Sequence, residues 1–330
     1  MSETALLIFV LLLVLAAEFV NGWNDAPNAI ATVISTRVLA PLQALAMAAV
    51  LNVLGALLSG SAVASTIGTE IVKPGAIGLP VVGAAVLSIA VWGAIATLYG
   101  LPISVSHGLL AGLAGAGIVT AGTDVLVWEG WRKMIIGLGF STLLGFGLAL
   151  VLMTAIYWGL RAVPRLRVAG IFGRLQMLSA AFMAFSHGGN DGQKFMGVFT
   201  LALVLGGVLP DFHIPIWVIL LCGAVMGIGT FVGGWSVIRT MGFGLTKLEP
   251  VHGFVAETAA ASAIQIASHF GIPLSTTHTI NTAIMGVGAT KRFSAVRWGV
   301  GRRIISAWIL TFPICAVIAA AFAALFRLIF

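Results

Sequence analysis

Apolar runs of about 17 to 25 residues, the length a helix needs to cross a bilayer, recur along the whole chain and leave it few other ways to fold. They fall at roughly 4–20 (resuming at 26–36), 41–59, 80–99, 102–121 and 134–158, then at 175–186 (resuming at 195–209), 214–235, 252–270, 273–290 and 304–328. No alternation over about ten residues points to an outer-membrane barrel. Charged residues make up 8% of the chain, against about a quarter in soluble domains. A soluble fold is excluded, and an all-α polytopic membrane protein with about 10–12 membrane segments is expected. The first run starts acidic and meets Asn24-Asp25 with no small-residue cleavage site, so it reads as a mature helix rather than a signal peptide.

The runs form five segments twice over. Asn24-Asp25 falls 166 residues before Asn190-Asp191, and the stretch from Gly100 to His107 falls 171 before the stretch from Gly271 to His278. An internal duplication explains both offsets. It divides the chain into a first repeat at 1–160, a basic linker at 161–175 and a second repeat at 176–330.

Loop charge then orients the repeats. Seventeen Lys and Arg exceed ten Asp and Glu, but the bases lie in short connections, where they anchor cytoplasmic helix ends rather than bind nucleic acid. Arg161, Arg165, Arg167 and Arg174 cluster between the repeats, and Lys291, Arg292, Arg297, Arg302 and Arg303 cluster near the end. The first-half counterpart of that last loop balances Asp124 and Glu129 against Arg132 and Lys133, so it is expected outside. Equivalent loops on opposite faces make the repeats inverted. Both termini are then expected on the exterior of the inner (plasma) membrane. Loops 59–80 and 206–215 read as ordinary turns and interfacial segments.

Two polar, glycine-bearing stretches interrupt this apolar chain, Asn21-Gly22-Trp23-Asn24-Asp25 and His187-Gly188-Gly189-Asn190-Asp191. A carboxylate at bilayer depth costs about 2.5 to 3.5 kcal/mol, so two of them mark a functional site. The glycines suggest breaks in the helices, tolerated only where protein or a watery cavity covers them. Asn24, Asp25, Asn190 and Asp191 then supply hard oxygen ligands for Na+ or a similar cation. Asn28 lies one turn beyond Asn24 and points the same way, whereas the second half has Lys194 there, so the two stretches differ chemically. Capping of broken helix ends is the competing explanation.

The second pattern is Pro102-Ile103-Ser104-Val105-Ser106-His107 and Pro273-Leu274-Ser275-Thr276-Thr277-His278. Proline suits the first turn of a helix, so each segment is expected to begin a helix at mid-membrane, with Ser104, Ser106, Ser275, Thr276 and Thr277 beside unpaired amides. That is a cradle for an oxyanion, against plain N-capping as the alternative. His107 and His278 are placed to steady those hydroxyls or relay protons. Glu18 and Glu257 are further intramembrane carboxylates that would carry a coupling proton or line the pathway, or else pair structurally. Cys222 and Cys315 lie in apolar runs with neither disulfide nor metal spacing.

On these motifs the chain resembles the low-affinity inorganic phosphate transporters, with the short interdomain loop of bacterial members. The resemblance implies phosphate held by Asp25, Ser104, Val105, Ser106, Asp191, Ser275, Thr276 and Thr277. It implies a cation at Asn24, Asp25, Asn28, Asn190 and Asp191; the residues themselves, not the resemblance, make Glu257, Glu18, His107, His278 and Lys194 the candidates for coupling or gating. It further implies Na+ or H+ as coupling ion, no cofactor, and a homodimer. Two carboxylates repel an oxyanion unless a cation intervenes or the anion itself donates a hydrogen bond, which phosphate does at neutral pH and sulfate does not. A sulfate or other oxyanion symporter is the alternative, followed by an anion channel. An intramembrane hydrolase fits poorly, because Ser-His recurs in both halves where catalysis needs one oriented nucleophile.

Overall fold

The computed structural model describes residues 2–329, most of them in twelve α-helices. The first half holds α1 (Glu3–Ser35), α2 (Pro41–Leu58), α3 (Ala62–Thr69), α4 (Leu79–Leu98), α5 (Val105–Ala121) and α6 (Trp128–Gly159). The second holds α7 (Arg165–Leu205), α8 (Ile216–Val232), α9 (Trp235–Ile238), α10 (Pro250–His269), α11 (Thr276–Ala289) and α12 (Trp298–Ile329). A π-helical stretch, Arg239–Gly244, continues α9. Among the described residues β structure is confined to an isolated bridge between Val72 and Leu126.

Among the described residues six helices (α1, α2, α4, α6, α7 and α12) are long and apolar enough to cross a membrane, and α8 makes a seventh if it and the segment after its 63° bend form one span. The expected ten to twelve membrane segments therefore resolve into full-length helices and shorter ones. At 1.5 Å per residue, α5 and α11 reach only about 26 and 21 Å, less than a hydrocarbon core of about 30 Å. The stretch 59–80, expected to hold turns and interfacial segments, contains α3.

The structure corrects the expected helix breaks. Asn24 and Asp25 lie within an uninterrupted α1 of 33 residues, and Asn190 and Asp191 within an uninterrupted α7 of 41. The glycines serve close helix contact instead. A Cβ on Gly22 would stand 2.3 Å from the Met226 carbonyl oxygen of α8, and one on Gly188 would stand 2.1 Å from the Asn52 carbonyl oxygen of α2. The contacts are reciprocal: Gly229 of α8 abuts the Phe19 carbonyl at 2.3 Å, and Gly55 of α2 abuts the Phe185 carbonyl at 2.0 Å. Backbone meets backbone at both crossings, which any side chain would prevent.

A second correction concerns the prolines. Pro102 and Pro273 do not start helices; they lie in extended links, and α5 and α11 begin three residues later behind Ser104 and Ser275 as N-caps. Proline biases the preceding residue toward extended backbone, which favours such a link. Gly100 and Gly271 turn each chain at φ of +66° and +65°, a conformation that glycine adopts without Cβ strain. Thr240 donates to the Gly100 carbonyl at 2.8 Å, and Thr66 of α3 donates to the Gly271 carbonyl at 2.9 Å. The short helical pieces of each half thus hold the α4–α5 or α10–α11 hairpin of the other.

Packing places the polar stretches. α1 packs on α8 and α4, while α7 packs on α2 and α10; α5 lies on α12, and α11 on α6. Two apolar cores result. Leu7, Val10 and Val14 of α1 join one core with Phe195 and Met196 of α7, while Ile30 and Val33 of α1 join the other with Ala180 and Met183 of α7. The middle turns of α1 and α7 fall at the seam, where the N-termini of α5 and α11 also end.

Candidate functional site

Ser104 and Ser275 accept from the backbone amides of His107 and His278 at 3.3 and 3.2 Å, which fixes where α5 and α11 begin. A helix leaves its first four amides without internal acceptors, and each serine takes the third. The amides of Val105 and Ser106, and those of Thr276 and Thr277, therefore point from two positive helix ends into the seam. The ends meet one turn in, with the His107 and His278 rings 4.8 Å apart.

Asp25 and Asp191, both buried, close the site from α1 and α7. Thr277 donates to Asp25 at 3.3 Å and Thr276 donates to Asp191 at 2.9 Å, while the Asn28 amide donates to both hydroxyls at 3.0 and 3.3 Å. Ligand atoms of Asp25, His187 and Asp191 lie within 4.8 Å of one another, a grouping able to hold a cation. The Lys194 ammonium donates to Asp191, to Ser106 Oγ at 2.5 Å and to the Leu274 carbonyl at 2.9 Å. The expected phosphate residues are therefore brought together, with the Ser104 and Ser275 hydroxyls turned to capping.

The two Asn-Asp asparagines make similar contacts. Asn24 donates to Thr97 of α4 at 2.7 Å, and Asn190 donates to Ser268 of α10, also at 2.7 Å. In both, as in Asn28, the carboxamide oxygen is buried with no hydrogen-bond partner among the described residues. An unmet buried acceptor costs about 1 to 3 kcal/mol, so three at one site fit a ligand that brings positive charge. Thr97 and Ser268 escaped sequence analysis although they too stand 171 residues apart. His187, given no firm role from sequence, bridges Asn52 at 3.1 Å and Asp191 at 3.1 Å.

The coupling candidates separate. His278 contacts Ser275 Oγ at 2.5 Å. His107 instead stacks on Phe312, its ring nitrogens without hydrogen-bond partners among the described residues. Glu257 accepts from Thr32 at 2.5 Å, from Gln176 at 3.1 Å and from Ser179, a closed network one turn beyond Asn28. Glu18 accepts only from Asn21, at 2.9 Å, and its other oxygen has no partner among the described residues.

Unbroken long helices flanking two buried helix ends, with hydroxyls, amides and carboxylates converging between them, define a polytopic membrane transporter with an internal polar site. The chain belongs to the phosphate transporter family, whose model matches residues 21–319. It is 42% identical over 316 residues to a probable low-affinity inorganic phosphate transporter of Rhizobium meliloti (strain 1021), covering 96% of this chain and 95% of that one. A protein of the same description from Bacillus subtilis (strain 168) is 38% identical over 318 residues, with 96% and 95% covered. A solved structure described as the sodium-dependent phosphate transporter matches with a TM-score of 0.89 and 25% identity over 99% of this chain and 100% of that chain. Family and relatives are transporters, not enzymes.

Proposed function

We propose that this chain imports inorganic phosphate across the bacterial inner membrane by symport with Na+ or H+. Repeats 1–160 and 176–330, inverted about the basic linker 161–175, alternate access to one mid-membrane site. With that linker cytoplasmic, both termini face the exterior. The paired helix contacts support the repeat, since α1 on α8 and α4 matches α7 on α2 and α10. The solved relative described as sodium-dependent favours Na+ as the coupling ion.

One observation carries the reading: Asn24 and Asn190, in equivalent positions, each present a buried unpaired carboxamide oxygen beside the hydroxyls and amides of the facing helix ends. Phosphate binds the amides of Val105, Ser106, Thr276 and Thr277 with the hydroxyls of Ser106, Thr276 and Thr277. Those threonine hydroxyls donate to Asp25 and Asp191. A cation on Asp25 competes for that acceptor and releases Thr277 toward phosphate, which makes loading cooperative by about 1 to 3 kcal/mol. A proton that phosphate keeps at neutral pH then meets a carboxylate, which excludes sulfate.

The test is uptake of labelled phosphate into proteoliposomes under sodium and pH gradients imposed separately. Saturable uptake driven by either gradient and resistant to excess sulfate is expected. Non-saturating uptake indifferent to both gradients would instead indicate a channel, and sulfate competition an oxyanion symporter.

A further inference from the structure

The two halves of the site differ at one decisive place. Asn28 of α1 corresponds to Lys194 of α7 by the same 166-residue offset that relates Asp25 to Asp191. Asn28 donates its amide to Thr276 and Thr277 and leaves a buried carbonyl oxygen unpaired. Lys194 instead puts an ammonium among a carboxylate oxygen of Asp191, the Ser106 hydroxyl and the Leu274 main-chain carbonyl. Carboxylate, hydroxyl and main-chain carbonyl are the oxygens that a bound alkali cation takes. An ammonium has three N–H groups and no acceptor, and all three are engaged here.

We infer that Lys194 is a built-in counter-ion: its ammonium occupies the second half's cation position, so the protein couples one exchangeable cation fewer than its duplicated architecture would hold. This rests on the symport reading above. The exchangeable cation then belongs to the first half, at Asp25, Asn24 and Asn28, where two carboxamide oxygens stay unpaired. In the second half Asn190 alone keeps one. Burial supports a tethered charge over a swinging one. Lys194 is 1% exposed, and a buried ammonium is stable only when paired and hydrogen-bonded. Asp191 therefore meets phosphate already neutralised, while Asp25 waits for an ion from solution.

Lys194→Asn, which copies the first half into the second, tests this in proteoliposomes holding the full chain. Sodium and phosphate uptake are measured together with dual labels, and the initial rate is followed against sodium. The variant is expected to move about one more sodium per phosphate than the parent and to show a Hill slope steeper by about one. The same ratio and slope in both proteins overturns the inference. Where the variant does not transport, phosphate binding by detergent-purified protein across a sodium series supplies the second readout. The logarithmic dependence of affinity on sodium should steepen by about one, and an unchanged slope again overturns the inference. A parent that neither transports nor binds phosphate refutes the symport reading instead, so the two failures are distinguishable.

Discussion

Gly188→Ala tests the packing on which the site depends. The added methyl carbon would stand 2.1 Å from the Asn52 carbonyl oxygen and 2.4 Å from its Cα, both backbone atoms that cannot rotate away. Relief requires α2 and α7 to separate by roughly an ångström at this crossing, an overpacking that costs about 1 to 3 kcal/mol. Alanine returns about 1 kcal/mol of helix propensity inside an unbroken helix. With backbone on both sides the upper part of the range applies, leaving a net loss of about 1 to 2 kcal/mol. Moving α2 also shifts Asn52, whose side chain holds His187 beside Asp191 and accepts no such displacement without losing its 2.9 Å bond to Thr230. Thermal unfolding of detergent-purified protein should therefore shift several degrees downward, and phosphate uptake should fall with it. Gly147→Ala is the control, because nothing lies within 4 Å of a Cβ there on α6; it should be neutral or stabilising by up to about 1 kcal/mol. If Gly188→Ala melts at or above the parent, the glycine does not mediate close backbone contact and the uninterrupted α7 is wrong.

Asn24→Ala and Asn190→Ala each remove an unpaired carboxamide oxygen, so the half-saturating cation concentration should rise more for Asn24, by about tenfold for a loss of 1.4 kcal/mol, in initial-rate measurements. Thr277→Val removes a hydroxyl that phosphate needs, and a bond to a charged group is worth about 1.5 to 3 kcal/mol, so phosphate affinity should drop at least tenfold at saturating cation. A smaller drop for Thr277→Val than for Ser104→Ala would contradict the assignment of Ser104 to capping. Glu257→Gln turns an acceptor of three donors into a group with its own N–H2 facing one of them; it should lower stability by about 1 to 3 kcal/mol, read as yield and melting temperature. Unchanged stability with altered cation coupling would move Glu257 from scaffold to pathway.

The long apolar helices were readable because hydropathy is local. Helix continuity at Gly22 and Gly188 was not. A glycine that lets a helix break and a glycine that lets two helices touch look alike in sequence, and only the carbonyls of Met226 and Asn52 distinguish them. The hydroxyl and carboxylate members of the site were legible because such side chains are rare at bilayer depth. Thr97 and Ser268 were hidden because Ser and Thr commonly satisfy their own helix, as both also do here by bonding the carbonyl four residues back. His187 is held beside Asp191 by Asn52, 135 residues away, a contact no local pattern shows.

The position of the site between two cores bears on how it is able to work. α1 and α7 each belong to both cores, one end to each, so neither core can shift without passing strain through the turns that carry Asp25 and Asp191. The hairpin links are tied across the halves, Thr66 to Gly271 and Thr240 to Gly100, so the α5 and α11 ends follow the opposite half rather than their own. Packed cores are bistable rather than continuously deformable. A change of packing on one side of the seam therefore carries a carboxylate and the facing helix end together. Under the alternating access proposed above, the candidate anion cradle would survive the movement while the walls above and below it exchange.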